Sequence, residues 1–358
     1  MSATNVPEEI KAMGYEEKGG QAKLISYKAK PLSKFDADIV VTYNGVCGTD
    51  KHMVDNDWGM SRYPLVPGHE VVGHVLSVGA EVSHLKAGDV VGLGAQCQMC
   101  GDCDWCNKER GNLCPKRAFT YMGNSEDETG THPHHGGFSS YLRTDSRLLF
   151  KIPEGIEEKY AGPLMCGGLT VAAPLFEYAK GTDASGKKVG IIGLGGLGHM
   201  AVMFASKMGA ETWAISRSAA KKEFAEGLGA ANYLDITDAD AVKAQQGTFD
   251  YLLVCISGGK FDIMQYIGLL GCYGNMHFVG VPDEPLTFPV QPLMFSRLTI
   301  SSSPIGSKEQ MEQMLAFAAA HGIKPIIEEF PHSKANDAMD KVRDGSIRFR
   351  AVLKNDLI

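Results

Sequence analysis

The chain has 358 residues, 44% of them apolar and 22% charged, the balance of an ordinary globular protein long enough for two domains. A net charge of −7 without a basic stripe argues against a nucleic-acid partner. The opening MSATNVPEEIKAMG carries Glu8 and Glu9 and no apolar run, so neither a signal peptide nor a membrane span is expected. Nine cysteines, five of them within residues 97–114, read as metal binding rather than disulfides and so as a reducing, cytoplasmic setting.

In chain order, residues 22–46 show short β-type runs broken by Pro31, and strand-like pieces recur at LVPGHEVVGHVLSVG, DVVGLGAQ and YLRTDSRLLFKIP. Such spacing predicts an irregular β-barrel half over about residues 1–156. From Val189 the texture changes. VGIIGLGGLG is a strand running into Gly193, Gly195 and Gly198, the G-x-G-x-x-G spacing, and HMAVMFASKMGA continues as a helix up to Gly209. Strand, glycine turn and helix in that order form a dinucleotide fingerprint, because the backbone must approach a pyrophosphate at a helix N-terminus. ETWAIS, NYLD, DYLLVC, CYGNMHFVG and LTIS follow as strands, which predicts a doubly wound parallel sheet. KEQMEQMLAFAAAHG places Met311, Met314, Leu315 and Ala318 at helical spacing with Gly322 as its stop, and IRFRAVL is a last strand.

Cys100, Cys103, Cys106 and Cys114 stand as C-x2-C-x2-C-x7-C, the pattern of a closed tetrahedral zinc site, with Cys97 a bystander. A second set is dispersed: Cys47 in CGTDKH, His69 and Glu70 in PGHEVVG, and Cys166 in LMCGGLT. Two thiolates and one imidazole would leave a metal position open, as catalysis needs, but spacing alone does not join residues so far apart.

The motifs GVCGTDKH, PLVPGHEVVGHVLSVG, the four-cysteine lobe, GGFSSY, LMCGGLTV, KKVGIIGLGGLGHMAV and PIGS together resemble the zinc-dependent medium-chain alcohol dehydrogenases of the cinnamyl alcohol dehydrogenase type. Among these the chain is most similar to the microbial and fungal NADP-dependent members with broad aldehyde substrates. The resemblance implies an α/β protein with a GroES-like catalytic domain over 1–156, a Rossmann nucleotide domain over 157–302, and a return to the catalytic domain over 303–358. It implies a catalytic zinc on Cys47, His69 and Cys166, with Glu70 beside it, and a structural zinc on the four-cysteine lobe. Asp50 would orient the ligand histidine, and Thr49 and His52 would relay the proton.

The resemblance further implies NADP(H) on Gly193, Gly195, Gly196, Leu197, Gly198 and Thr170. After ETWAIS, Ser216, Arg217, Ser218 and Lys221 offer hydroxyls and cations to a 2′-phosphate where an NAD-specific fold would carry a carboxylate. Trp58, Phe119 and Pro304 fall at pocket positions and suit an apolar or aromatic aldehyde, although plant relatives usually carry Trp and Phe at the last two. The histidines of THPHHGG (His132, His134, His135) read as a solvated loop. The expected function is hydride transfer between NADP(H) and an aldehyde or primary alcohol by a cytoplasmic homodimer. A polyol or secondary-alcohol dehydrogenase on the same scaffold is the alternative.

Overall fold

The eleven-residue strand Asp36–Val46 organises the N-terminal half. In the computed structural model, which describes residues 5–259 and 261–358, it is long enough to pair two strands end to end on one edge. Tyr141–Asp145 takes its first half, with Tyr141 opposite Val40, and Arg350–Lys354 takes its second, with Ala351 opposite Val46. Asn355 bridges the junction, its amide donating to the carbonyls of Val41 at 2.6 Å and Ser140 at 3.1 Å. On the other edge lies Val71–Val78, followed by Val90–Leu93 and Leu149–Lys151, while Ile327–Pro331 pairs with Arg350–Lys354, making seven strands. Buried Ile39, Val41, Val71, Val75, Val91 and Leu93 fill one side of this sheet, as the period of two dictates.

The chain divides into Met1–Cys166 with Ser307–Ile358, and Gly167–Gly306. The first boundary lies ten residues beyond the expected 156/157, because helix Glu158–Pro163 packs on the strands Asp36–Val46 and Val71–Val78. The first four residues of the N-terminal stretch lie outside the described residues. Among the described residues no helix is long and apolar enough to cross a membrane.

The second unit is a six-stranded sheet, Asn232–Asp235, Glu211–Ser216, Lys188–Ile192, Phe249–Val254, Leu270–Phe278 and Thr299–Ser302 in spatial order. Every neighbouring pair is parallel, the doubly wound arrangement that the sequence predicts. The order reverses between Lys188–Ile192 and Phe249–Val254, so the glycine turn after Ile192 opens at the switch point where such sheets bind ligands. Phe249, Leu252, Val254, Met276 and Phe278 form the core on one side. In the first unit the helix Lys308–His321 ends at Gly322 with φ of 62°, which a Cβ would strain.

One core residue breaks the apolar pattern. His332 follows the strand Ile327–Pro331 and is fully buried, edge-on to Phe138 with ring centroids 5.8 Å apart. Neither ring nitrogen has a hydrogen-bond partner, and burial lowers its pKa to about 4 against a weak opposing pull from Asp356. A depressed folded pKa means that the neutral ring carries no penalty above the unfolded value of about 6.5, and stability is lost as pH falls from there towards 4. Between pH 7 and 4.5 the parent should therefore lose about 3 kcal/mol more than His332→Leu, read as urea unfolding midpoints. Equal losses in the two proteins would remove His332 from the acid sensitivity.

Candidate active site

Where the central strand ends, Cys47 caps the helix Gly48–Val54. Asp50, in that helix's first turn, is fully buried and accepts from the Cys47 N–H at 2.9 Å. Its other oxygen accepts from the Gly68 N–H at 3.0 Å and from His69 Nδ1 at 3.0 Å. One carboxylate thus binds the helix, the Gly68 turn and the His69 ring. Gly68 has φ of 104°, and a Cβ there would lie 2.7 Å from Phe138 and 2.9 Å from Asn44, so the turn that delivers His69 accepts only glycine.

With Nδ1 held, His69 presents Nε2, which is buried and has no hydrogen-bond partner. One ligand atom each from Cys47, His69, Glu70 and Cys166 lies within 4.8 Å of all the others. Cys166 reaches the cluster from a π-helical turn, Leu164–Gly168, a distortion common at functional sites. The Cys47 and Cys166 sulfurs are 4.0 Å apart, near the edge of about 3.8 Å that a tetrahedron with metal–sulfur bonds of about 2.3 Å requires. The contact between the two sulfurs pulls the Cys47 thiol well down and, with burial, pushes the Cys166 thiol well up. Burial would lower His69, but the Asp50 charge and hydrogen bond, with Cys47, outweigh it and raise it. Glu70 is raised to about 7 by burial, opposed by Arg350, which pairs with its Oε1. The second oxygen, Oε2, is left without a partner.

The other four cysteines gather just as closely. Sulfur separations are 3.4 Å for Cys100 and Cys114, 3.6 Å for Cys103 and Cys106, and 3.9 Å for Cys100 and Cys106. The Cys100 N–H points at the Cys114 sulfur at 3.5 Å, and N–H groups led by that of Cys106 lower the Cys103 thiol to about 7. The Cys103 thiolate is thus favoured, whereas Asp102 pushes the Cys100 thiol up to about 12 and burial raises that of Cys106. Both clusters thus bring together the residues that the sequence singled out, and Cys97 belongs to neither.

In the second unit Gly193 has φ of 93°, and a Cβ on Gly198 would lie 1.8 Å from the Gly193 carbonyl oxygen. A Cβ on Gly195 would project into open space, the free backbone that a pyrophosphate needs. Ser216 ends the second strand of the sheet, and Arg217 and Ser218 stand exposed beyond it. Lys221 donates to the Leu194 carbonyl at 3.1 Å, which ties this segment to the glycine turn. The Tyr233 hydroxyl donates to the Ser218 carbonyl from the other side.

Residues 33–154 match the alcohol dehydrogenase GroES-like domain, and residues 196–320 match the zinc-binding dehydrogenase family. Across 97% of its length the chain is 39% identical to an aldehyde reductase, AdhA, of Synechocystis sp., covering 99% of that protein. The chain belongs to the zinc-dependent medium-chain alcohol dehydrogenases, of the cinnamyl alcohol dehydrogenase type. The structure of a cinnamyl alcohol dehydrogenase from Sorghum bicolor is 34% identical and superposes with a TM-score of 0.90, covering 97% of both chains. That of the Helicobacter pylori enzyme, complexed with NADP(H), is 28% identical with a TM-score of 0.87, covering 97% of this chain and 98% of that one.

Beside this dehydrogenase's thiol and imidazole cluster, Thr49 and His52 share the helix Gly48–Val54. His52 stacks on Trp58 with centroids 5.0 Å apart, and its Nδ1 lies 2.7 Å from the Asp57 carboxylate. Asp57 also accepts from Lys51 at 2.6 Å. Phe119, half-buried in the short strand Ala118–Phe119, lies under the Arg117 guanidinium at 5.6 Å. Thr170 is buried in the helix Leu169–Ala179, and Pro304 is exposed after Thr299–Ser302, both in the second unit. The histidine-rich segment is not the solvated loop expected. His134 Nδ1 donates to the Phe119 carbonyl at 2.8 Å, and His135 stacks on Tyr27 at 3.8 Å. With His132 they line a cavity also walled by Cys97 and Arg143.

Sequence reasoning missed Asp57, Arg350 and Tyr121. Only Asp57 left a signal, a carboxylate five residues beyond His52. Arg350 arrives from the far end of the chain, and Tyr121 packs on the His69 ring at 5.7 Å. All three partners of Asp50 are donors, so an amide there must turn one N–H against another. Asp50→Asn should cost about 1–3 kcal/mol, and Asp50→Ala, which strips all three donors, about 3–5 kcal/mol. Denaturant unfolding checks both values, and a loss under 1 kcal/mol for Asp50→Ala would show that the carboxylate does not hold the site.

Proposed function

We propose that the chain transfers a hydride between NADP(H) and an aldehyde or primary alcohol, with aromatic or medium-chain substrates favoured. The observation that carries this reading is the buried cluster of two thiols, one imidazole with a bare Nε2, and a carboxylate, within a dehydrogenase fold. Cys47, His69 and Cys166 would hold a catalytic zinc, and Cys100, Cys103, Cys106 and Cys114 a structural one, two per chain. When bound, the zinc supplies Lewis-acid polarisation of the substrate oxygen and the nicotinamide supplies the hydride.

The chain's own residues do the rest. Asp50 fixes the His69 ring so that Nε2 faces the sulfurs. Thr49 would hand the substrate's proton to His52, whose Nδ1–H is committed to Asp57, so Nε2 is the base. Asp57, held ionised by Lys51, would stabilise the imidazolium that forms until His52 returns the proton from Nε2 to solvent. Trp58, stacked on His52, would offer an apolar wall to the substrate, with Phe119 from the same unit. Gly195 would let the pyrophosphate approach, with Gly193, Gly196, Leu197, Gly198 and Thr170 around it, and Ser216, Arg217 and Ser218 would take the 2′-phosphate. Lys221, committed to Leu194, would hold that segment in place.

A homodimer is also proposed. Its support is the edge strand Thr299–Ser302, paired on one side only, and the exposed apolar residues Val290, Met294 and Phe295 before it. Nine unpaired thiols suit a reducing compartment such as the cytosol.

The two metals separate by their consequences. Cys166→Ala should abolish turnover and keep most folding cooperativity, whereas Cys103→Ala should chiefly lower thermal stability. Elemental analysis should find two zincs per parent chain and one in each variant. A parent with one zinc, or an active Cys166→Ala enzyme, would sink this assignment.

The cofactor is tested with one saturating aldehyde. Arg217→Ala should lower kcat/KM for NADPH about 10- to 150-fold, the factor for a lost hydrogen bond to a charged group, and leave NADH little changed. Ser216→Asp, which repels the phosphate and gives the NADH ribose a partner, should narrow or invert the preference through KM. A parent that prefers NADH would contradict the reading.

A further inference from the structure

A cavity of about 200 Å³ opens within the first unit, and none of the eight residues of the two clusters lines it. Buried Ile10, Leu93, Cys97 and Leu142 give it an apolar lining. The hairpin of Asn124–Asp127 and Gly130–Pro133, with the two residues that follow it, brings His132, His134 and His135 into the wall. At the hairpin's tip, Asp127 accepts from Lys30 Nζ and Glu128 from the Lys34 N–H, each at 2.8 Å. At its root the His134 N–H donates to the Gly123 carbonyl at 3.1 Å. The wall is therefore fastened at both ends.

The partly buried charges of the lining are spent on one another. Lys30 lies 2.7 Å from Asp36 as well as 2.8 Å from Asp127, and Arg143 makes two bonds to Asp38, at 2.6 and 2.9 Å. Asp145 accepts from Arg147 at 2.9 Å, and Lys28 is exposed to solvent. Burial lowers the pKa of His134 and brings that of His135 down to about 4, so both rings are neutral at pH 7. An ion entering here would lose hydration without gaining an unpaired counter-charge. The occupant that fits is neutral.

The direction of hydrogen bonding at His134 is fixed. The Phe119 carbonyl can only accept, so the Nδ1 that lies 2.8 Å from it carries the proton and Nε2 holds a lone pair. The Cys97 thiol, 4.0 Å from Nε2, is closer to the Ala118 carbonyl and donates there at 3.6 Å. Nε2 is thus left to accept from an occupant with a hydroxyl. His135 already lies flat on Tyr27 with ring centroids 3.8 Å apart, and such paired rings favour a further aromatic group. An apolar cavity of about 150 Å³ holds benzene, so this one has room for a benzene ring with small substituents.

We propose that this cavity is a second ligand site, for a neutral molecule of the phenol class whose hydroxyl donates to His134 Nε2. The proposal stands apart from the hydride-transfer reading, since none of the residues given a part in that reaction lines the cavity.

The test is calorimetric titration of the zinc-loaded protein with three probes. They are 4-methylphenol, the similarly shaped 4-fluorotoluene, which has no hydroxyl proton, and benzoate, an anion. The parent should bind the first two and not the third. His134→Asn keeps a donor for the Phe119 carbonyl, because the side-chain amide takes the place of Nδ1, but removes the acceptor. It should raise Kd for 4-methylphenol about 2- to 13-fold, the factor for one neutral hydrogen bond, and that for 4-fluorotoluene less than about twofold. Ala29→Phe, which fills the cavity from its lining, should abolish binding of both. A parent that binds neither ring, or binds benzoate as tightly as the phenol, would overturn the proposal. So would phenol binding that is lost in Cys166→Ala and kept in both cavity variants, which would place the ligand at the catalytic cluster.

Discussion

The Asp50 carboxylate is the interaction on which the catalytic unit depends. It takes an N–H from the start of one helix, an N–H from a glycine turn eighteen residues on, and the His69 ring nitrogen. Burying a charge costs several kcal/mol unless its lone pairs are filled, and here three donors fill them. The cost is what makes the arrangement specific. The donors come from two segments, Cys47 at the start of the helix and Gly68–His69 in the turn, so displacing either segment leaves a buried charge short of a partner. The Cys47 sulfur and His69 Nε2 inherit their relation from this one group.

The C-terminal return is held by the same logic on a larger scale. A strand of ordinary length would pair with one neighbour per edge, but Asp36–Val46 has room for two. The second place is filled by Arg350–Lys354, and its first residue brings a guanidinium to Glu70. Backbone pairing therefore delivers a charged side chain to the Cys47–His69–Glu70–Cys166 cluster from 280 residues away, and the Glu70 carboxylate reaches it because Gly45 leaves room.

What could be read from sequence follows how local each feature is. The cysteine lobe and glycine turn were legible, because their spacing lies within one loop or one strand-to-helix turn. Cys47 and Cys166 lie 119 residues apart, and only the family resemblance joined them to His69. Arg350 had no signal, since nothing in IRFRAVL marks one residue as reaching across a sheet. The histidine-rich segment misled because polar composition suggests solvent, whereas His134 and His135 are held by a backbone carbonyl and an aromatic face. The boundary at 156/157 slipped for a related reason: a short amphipathic helix looks the same whichever unit it packs on.

One device recurs at sites of different chemistry. His69, His52, His134 and His277 each place Nδ1 against an oxygen, from Asp50, Asp57, Phe119 and Ser301 respectively. Occupying Nδ1 turns Nε2 towards the task, and the chemistry of the partner sets what Nε2 can do. A buried carboxylate at His69 makes the ring a strong electron donor, fit for a metal. At His52 the carboxylate faces solvent and is shared with Lys51. At His277 the partner is a neutral hydroxyl. The four rings thus differ in the charge and exposure of the one atom behind them.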